Sequence, residues 1–506
     1  MRKPVFGVVT SAGIMLTLLM ISTLFLAFYV RPAGSSLATI IVPDDYPTIQ
    51  AAINAASDGD TVFVRNGTYY ENIVVSKSLV ILGENAMSTI IDSHDSGSFN
   101  VHINANVTLS GFTLQNGDSG IFVNHPCTVD IKNNIIRNQY YYGVFVQTWG
   151  TCNVTVQDNL IVASSGGIQV SYSEGFCALE RNNLSQVGSG IMTGYGMMNG
   201  DVVNNTITGN GSGTGLDLSD FYNGTIEGNS ITGFMDCAWL EGTSGNLVTR
   251  NVLAANAGFG LGIISSDDNT VIGNDILNNG FGIWLSSSSR NNVIWHNNFI
   301  NNSQQVNIVD SSYANAWDDG YPSGGNYWSD YKGLEIYVDG IGDTAYTIDA
   351  NNTDRYPLMG MFYDFNVSWI EPGYNVELIS NSLVSAFAVG FWIEHPNTRV
   401  IEFNVTWETG NGGFCRVCIP TALLNASYTV LLNGMEIPCI LLPFSNSTHS
   451  YLYFYFNYNY STEEVTISPE FPSFLILPLF MIAALLAVMV CKKMRRLQGV
   501  HRSFSS

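Results

Sequence analysis

Six carboxylates stand between residues 217 and 268: Asp217, Asp220, Asp236, Glu241, Asp267 and Asp268. Paired acids of this kind cleave glycosidic bonds, one protonating the leaving oxygen while the other acts as nucleophile or base, about 5–10 Å away. The pairing works only if residues two dozen positions apart are brought side by side. Spread over separate turns, the same six are solvated acidic corners. Tyr140, Tyr141, Tyr142, Phe145, Trp149, Tyr172, Phe176 and Tyr195 raise the same question, because stacked aromatic rings grip sugars but also fill cores. Cys127, Cys152 and Cys177 recur at steps of 25 residues, which predicts a buried column of thiols. Cys415 and Cys418 have a zinc-like spacing, yet no second pair or histidine follows. A disulfide of Cys439 with Cys415 or Cys418 is the expectation there.

What would align such distant residues is a repeat. Asn134, Asn159, Asn183, Asn205, Asn229, Asn251, Asn274 and Asn298 recur at steps of 22 to 25 residues. Gly120, Gly143, Gly167, Gly190, Gly215, Gly260 and Gly282 run in parallel, with Cys237 in the gap. Two co-phased series mean a coiled repeat. Each glycine opens a short apolar run and each asparagine marks a corner, so every period reads as one rung of a parallel β-helix. Asparagine tolerates a left-handed corner, its amide can pair with the same amide one rung on, and glycine is expected to supply the other corner at no steric cost. Residues 60 to 310 then make about eleven rungs at a spacing of ~4.8 Å.

Composition sets the compartment. The net charge is -22, with 19 Lys+Arg among 506 residues, which argues against nucleic acid as a partner. Residues 1–38 read as a signal peptide or signal-anchor, with Arg2 and Lys3 ahead of the uncharged stretch Val5 to Val30. Residues 471–491 read as a transmembrane helix, and 492–506 as a basic cytoplasmic tail opened by Lys492-Lys493-Met494-Arg495-Arg496. The chain between them is expected outside the cytoplasm. Asn66, Asn106, Asn153, Asn183, Asn204, Asn210, Asn223, Asn301, Asn351, Asn366, Asn404, Asn425, Asn446 and Asn459 all begin N-x-[ST] sequons, which suits that side.

A helix is expected over Tyr46–Ala56, with Ile49, Ala52, Ile53 and Ala56 on one face. Placed before the first rung, it would cover the open end of the coil. Strands follow at Thr61–Val64, Asn72–Val75 and Leu79–Leu82. The opening Tyr-Pro-Thr-Ile-Gln-Ala-Ala-Ile, with Gly67-Thr68-Tyr69-Tyr70-Glu71-Asn72-Ile73, resembles the first coil of pectin-lyase-type right-handed β-helices. Gly325-Asn326-Tyr327-Trp328-Ser329-Asp330-Tyr331, Asp339-Gly340-Ile341-Gly342-Asp343-Thr344 and Asp354-Arg355-Tyr356-Pro357-Leu358 resemble the closing segment of NosD-type repeat proteins. That resemblance covers residues 40 to 360 and implies a copper-handling accessory role as one function. Asp339 and Asp343 are the metal candidates it offers, for calcium; Glu335-Ile336-Tyr337-Val338 replaces the acidic run usual ahead of them. No cofactor is otherwise predicted. The seven histidines do not cluster, and Met192, Met197 and Met198 lie near one another. The Gly-His-Gly and Arg-x-Lys signatures of polygalacturonase-like enzymes and the Gln-Asp-Thr and Val-Asp-Phe motifs of pectinesterases are missing. A lyase would have only Arg181 and Arg250 as basic candidates.

Seven irregularly spaced apolar runs between 364 and 468, with a hairpin signal at Asn433-Gly434, suggest a β-sandwich. The chain is therefore expected to be all-β: a right-handed parallel β-helix over 39–360, a sandwich stalk over 361–470, then the membrane helix. The function expected is binding of a glycan or cell-envelope polymer, or a structural surface role. A polysaccharide lyase or glycoside hydrolase using the six carboxylates is the competing class.

Overall fold

The computed structural model describes residues 37–469, apart from 95–96, 197–198, 287, 310–312, 393–394 and 426. The apolar stretch Val5 to Val30, the 471–491 segment, the basic tail, Met197 and Met198 lie outside the described residues. Among those described, no helix is long and apolar enough to cross a membrane. The chain divides into two compact units, Met1–Ser164 and Ser165–Ser506.

In the first unit the strands fall into three parallel sheets. Sheet I contains Thr39–Val42, Thr61–Val64, Leu79–Gly83, Val107–Ser110, Thr128–Lys132 and Asn153–Gln157. Sheet II contains Gly67–Tyr69, Thr89–Asp92, Thr113–Gln115, Ile135–Arg137 and Leu160–Val162; sheet III contains Ile73–Val75, Val101–Ile103, Ile121–Val123 and Tyr142–Gly150. The chain visits I, II and III in turn, as in a right-handed parallel β-helix. Period-2 alternation turns one residue in two inward, so Leu109, Ile131 and Val156 stack in register and are fully buried. The predicted helix is Ile49–Ala55, with Thr48 accepting the Ala51 N–H. Glu71 closes its positive end by accepting the Ile49 and Gln50 N–H groups at 2.9 and 3.0 Å. Two strands of the first coil were not anticipated: Thr39–Val42, which pairs with Thr61–Val64, and Gly67–Tyr69, which pairs with Thr89–Asp92.

The second unit repeats the three sheets. Sheet III, which positions the site below, contains Gly166–Ser173, Ser189–Gly194, Thr214–Ser219, Asp236–Glu241, Phe259–Ile264, Phe281–Ser286 and Gln304–Ile308. Inward residues again stack, as in Leu184, Ile207, Ile231, Leu253, Ile276 and Phe299 of sheet II.

The corner ladder exists, with two members displaced. It runs Asn182, Asn205, Asn229, Asn251, Asn274, Asn297 and Asn326. Asn183 is exposed; Asn298 instead holds the backbone of Phe362 through two hydrogen bonds, 2.7 and 2.9 Å. In the first unit Asn134 and Asn159 pair in the same way. The left-handed backbone belongs to the residue before each ladder amide from Asn182 to Asn297, such as Asn204, Arg250 and His296 at φ 54–56°. The ladder asparagines are thereby left to point inward. Two more ladders occupy the other corners: Asn246, Asn269, Asn292, Asn315 and Asn352, and Asn256, Asn279 and Asn302.

The glycine series has a different cause from the one expected. Gly190, Gly215 and Gly260 have no left-handed φ. A Cβ on Gly215 would stand 2.3 Å from the Ile231 side chain, so the position is glycine for lack of room.

The segment after residue 310 closes the coil. Trp328 stacks on Phe299 at 4.3 Å, and Tyr346 on Trp328 at 4.3 Å, covering the last apolar rung. Asp354 ends the first ladder by accepting the Asn326 N–H and the Trp328 indole N–H, both at 2.8 Å, while Tyr356 N–H donates at 3.0 Å. Burial outweighs these donors and pushes the Asp354 carboxyl up to about 7. A carboxyl raised in the folded state contributes stability below its unfolded value, near 3.8, which is lost as pH rises toward 7. Asp354→Asn, neutral throughout, should gain on the wild type progressively from pH 4 to pH 7. Thermal unfolding at pH 4, 5.5 and 7 measures this, and a difference independent of pH would contradict it.

The C-terminal part of this unit is a sandwich of two five-stranded antiparallel sheets. Its ten strands include three that the apolar runs missed: Met361–Val367, Met435–Ile437 and Cys439–Leu441. Asn433 and Gly434, both with positive φ, make the expected hairpin. The Cys439 disulfide is not formed; the described cysteines are thiols. Cys439 and Cys415 both pair with Phe454, on opposite sides of the His449–Asn457 strand. Two strand spacings, about 9.6 Å, exceed the reach of a disulfide, and Cys418 is farther along. Buried Arg416 joins sandwich to coil: it donates to the Pro322 carbonyl and lies over Phe444 and Tyr451, 5.3 and 5.1 Å from their centroids.

Candidate functional site

On sheet III the residue two positions after each member of the glycine series faces outward. In the second unit this row is Gln169, Met192, Asp217, Trp239, Gly262, Trp284 and Asn307, neighbours one rung apart. The next outward row includes Ser219, Glu241, Ile264 and Ser286. Gly262 leaves a gap that the Phe259 ring fills, 5.2 Å from Trp239 and 5.3 Å from Trp284 between centroids, and Phe281 flanks Trp284 at 6.3 Å. The result is an aromatic cluster over three rungs, in which the buried Phe259 ring sits tilted by 47° to Trp239 and edge-on, at 79°, to Trp284. Trp239 and Trp284 are half-buried, so their outer faces reach solvent.

Two of the six candidate carboxylates meet at the edge of this cluster. Asp217 lies directly beside Trp239, and Glu241 directly beside Ser219. Ser219 Oγ donates to Asp217 Oδ1 at 3.1 Å, and Trp239 Nε1 donates to Glu241 Oε2 at 3.2 Å. Burial, with Glu241 adding to it, raises the Asp217 carboxyl above its ordinary range although the Ser219 bond opposes this. Asp220 occupies the left-handed turn just beyond, its N–H bonded to the Glu241 carbonyl. Asp236 sits at the far end of the strand that carries Glu241 and accepts the Phe259 N–H; burial raises it too. Asp267 and Asp268 are not part of the group. Asp267 bridges to Ser244 and pairs with Arg290 at 3.2 Å, and Asp268 is in a left-handed corner.

The first unit has its own sheet III row. His102, Phe122 and Phe145 are rung neighbours, and Phe99 and Tyr142 extend the contacts, with centroids 4.3 to 5.2 Å apart. Of the aromatics chosen from the sequence, Tyr142 and Phe145 therefore belong to this row. Tyr140 and Tyr141 pack edge to face, while Tyr172 and Tyr195 stack at 5.0 Å in the second unit. Trp149 and Phe176 are exposed. Trp239, Phe259, Phe281 and Trp284 were missed. The signal that would have found the two tryptophans is the glycine phase itself, read two residues further on.

The metal candidates do not converge. Asp339 accepts the Ile341 N–H and the Tyr321 hydroxyl, both at 3.0 Å, and Asp343 accepts the Tyr337 and Ile336 N–H groups. Among the described residues no group of three or more His, Cys, Asp or Glu is placed to hold a metal. His94 stacks on Tyr70 and His296 on Phe362, while His102 packs tilted and edge-on against Phe122 and Phe99. Cys127 and Cys152 do stack, sulfurs 3.9 Å apart, but inside the coil. Copper requires converging soft donors, and the described residues bring no such set together.

A family described as periplasmic copper-binding protein (NosD) matches residues 53–220 and 199–333. A cell surface glycoprotein of Methanothermus fervidus is 29% identical over 280 residues, 47% of this chain and 46% of that protein. A probable ABC transporter binding protein NosD of Pseudomonas aeruginosa is 32% identical over 154 residues, 30% of this chain and 33% of that protein. The chain thus spans less than half the length of these curated relatives. Among solved structures, the A-module of the Azotobacter vinelandii mannuronan C-5 epimerase AlgE6 aligns with a TM-score of 0.41 at 16% identity, covering 53% of this chain and 93% of that module.

Proposed function

The chain belongs to the NosD family of right-handed β-helix repeat proteins, and we propose that it is an envelope-located surface protein that binds a polysaccharide along the outer face of sheet III. The observation that carries this reading is the pair of solvent-reaching tryptophans, Trp239 and Trp284, held apart by the buried Phe259 ring, with two hydrogen-bonded carboxylates at their edge. Flat rings stack on the apolar faces of pyranoses, and fixed carboxylates accept sugar hydroxyls in charge-assisted bonds. Successive rungs would serve successive residues of a polymer. The location rests on the names of the relatives and on the long sequon-bearing chain.

Charge narrows the ligand. The outward residues described for this face in the second unit include Asp217 and Glu241 but no Lys, Arg or His. A polyuronate would meet uncompensated negative charge, so the ligand is a neutral or amino-sugar polymer. Retention of the full chain on insoluble neutral and amino-sugar polysaccharides, against a polyuronate, tests the assignment. Preference for the polyuronate, or no retention at all, would refute it.

One observation favours a second reading, glycoside hydrolysis, because Asp217 and Glu241 occupy adjacent rungs and burial raises the Asp217 carboxyl above its ordinary range. Hydrolysis would release reducing ends from a retained polymer and would be lost in Glu241→Gln. Binding without release leaves the first reading standing.

A further inference from the structure

In an asparagine-rich coil, sequons and buried ladders compete for the same residue type, and the fold separates them completely. Among the described residues none of the nineteen buried asparagines begins a sequon, whereas thirteen of the fourteen sequon asparagines are exposed and the other, Asn404, is half-buried. The separation is finest at the corners. Asn204, Asn301 and Asn351 are exposed sequon residues, and the next residue in each case, Asn205, Asn302 and Asn352, is a buried ladder amide. A shift of one residue would place a sequon inside the coil.

Two further observations bear on the same residues. At Asn66, Asn106, Asn210 and Asn446 the side-chain amide accepts through Oδ1. The ladder amides, by contrast, donate through Nδ2 to buried carbonyls, as Asn205 does to Leu179 and Asn251 to Ile226. Nδ2 is the atom that a glycan would occupy. The second observation is position. No sequon asparagine lies on a sheet III strand in either unit; in the coil they start strands of sheets I and II or sit in the corners.

We propose that the exposed sequons are N-glycosylation sites, so that oligosaccharides cover sheets I and II and the corners while the sheet III face stays bare. In the transfer, Nδ2 of the asparagine attacks the anomeric carbon of a lipid-pyrophosphate-linked oligosaccharide. A C–N bond forms, the sugar–phosphate C–O bond breaks with its electron pair leaving on the lipid pyrophosphate, and Nδ2 gives up a proton. A transferase of the envelope supplies the catalysis. Asn404 is the internal exception: it is paired on both sides within its sheet, opposite Ser385 and Glu464, and is expected to stay unmodified.

Site-resolved glycopeptide mass spectrometry on the full chain, purified from its native cells, tests the proposal. Oligosaccharide masses are expected on Asn66, Asn106, Asn204 and Asn223, and the bare amide on Asn404. Unmodified peptides at those four sites would overturn it, provided that other surface proteins of the same cells carry glycans; so would equal occupancy at Asn404. That the bare face is kept for a polymer rests on the reading above and has its own measurement. Asn204→Gln with Asn223→Gln should leave polysaccharide retention within twofold of the wild type. A larger loss would show that the glycans belong to the binding surface, whatever the mapping finds. A wild type that is never retained would end the polymer reading while the occupancy map still decides glycosylation.

Discussion

Asn251→Ala should lower stability by about 3–5 kcal/mol, whereas Asn183→Ala, only a few rungs away, should change it by less than about 0.5 kcal/mol. The difference follows from what each amide holds. Asn251 Oδ1 accepts the Asn229 N–H and the Asn229 Nδ2, both at 2.9 Å, and its own Nδ2 reaches Ile226 O at 2.8 Å and Asn274 Oδ1 at 2.9 Å. Removing it strands the Asn229 N–H and the Ile226 carbonyl inside the coil, each costing ~1–3 kcal/mol when left unpaired. Asn251→Asp should be at least as damaging at neutral pH, since a carboxylate cannot donate and has no cation beside it. Asn183 is on the surface and belongs to no ladder. Thermal unfolding midpoints of the three variants, compared at one pH, measure this. If Asn183→Ala proved as harmful as Asn251→Ala, the ladder would not be what holds the corners.

The double variant Trp239→Ala, Trp284→Ala should weaken polysaccharide retention by about 10- to 100-fold, measured well below its unfolding midpoint, which falls because the buried Phe259 ring is uncovered. Stacking on one aromatic ring is worth ~0.5–1.5 kcal/mol beyond its area, and each 1.4 kcal/mol is about tenfold in affinity. Both rings are half-buried and outward, so the aliphatic columns behind them survive. Trp239 has a second effect, because its N–H holds Glu241. Trp239→Phe should therefore keep the cluster but loosen the carboxylate, and fall between wild type and Trp239→Ala. Titration of the full chain with a soluble oligosaccharide of the retained polymer gives the numbers. Equal affinity of wild type and double variant would remove sheet III as the binding face.

The coil itself was legible because a solenoid writes its geometry into a period. The asparagine and glycine phases placed the rungs, and the predicted strands at Thr61–Val64, Leu79–Leu82 and Tyr428–Leu432 agree with those seen to within a residue. Errors arose where one residue decides. Asn183 and Asn298 stand next to Asn182 and Asn297, and spacing alone cannot tell a ladder amide from its neighbour. Only the left-handed turn at Arg181 or His296 fixes which amide points inward. The glycines were assigned to turn freedom, when the Ile231 and Ile276 side chains leave no room for a Cβ; that is a property of the packed neighbour, absent from the local sequence.

By itself, then, the sequence determined the repeat, the all-β class, the capping helix and the column to which each residue belongs, because stacking in register makes these functions of spacing. The tertiary structure decided which columns matter. It joined Asp217 to Glu241 and left Asp267 with Arg290, set Phe259 into the gap at Gly262, and put a whole strand between Cys439 and Cys415. Those outcomes depend on which face a side chain takes and on what fills the space beside it. A period repeats identically on both faces and therefore carries no information about either.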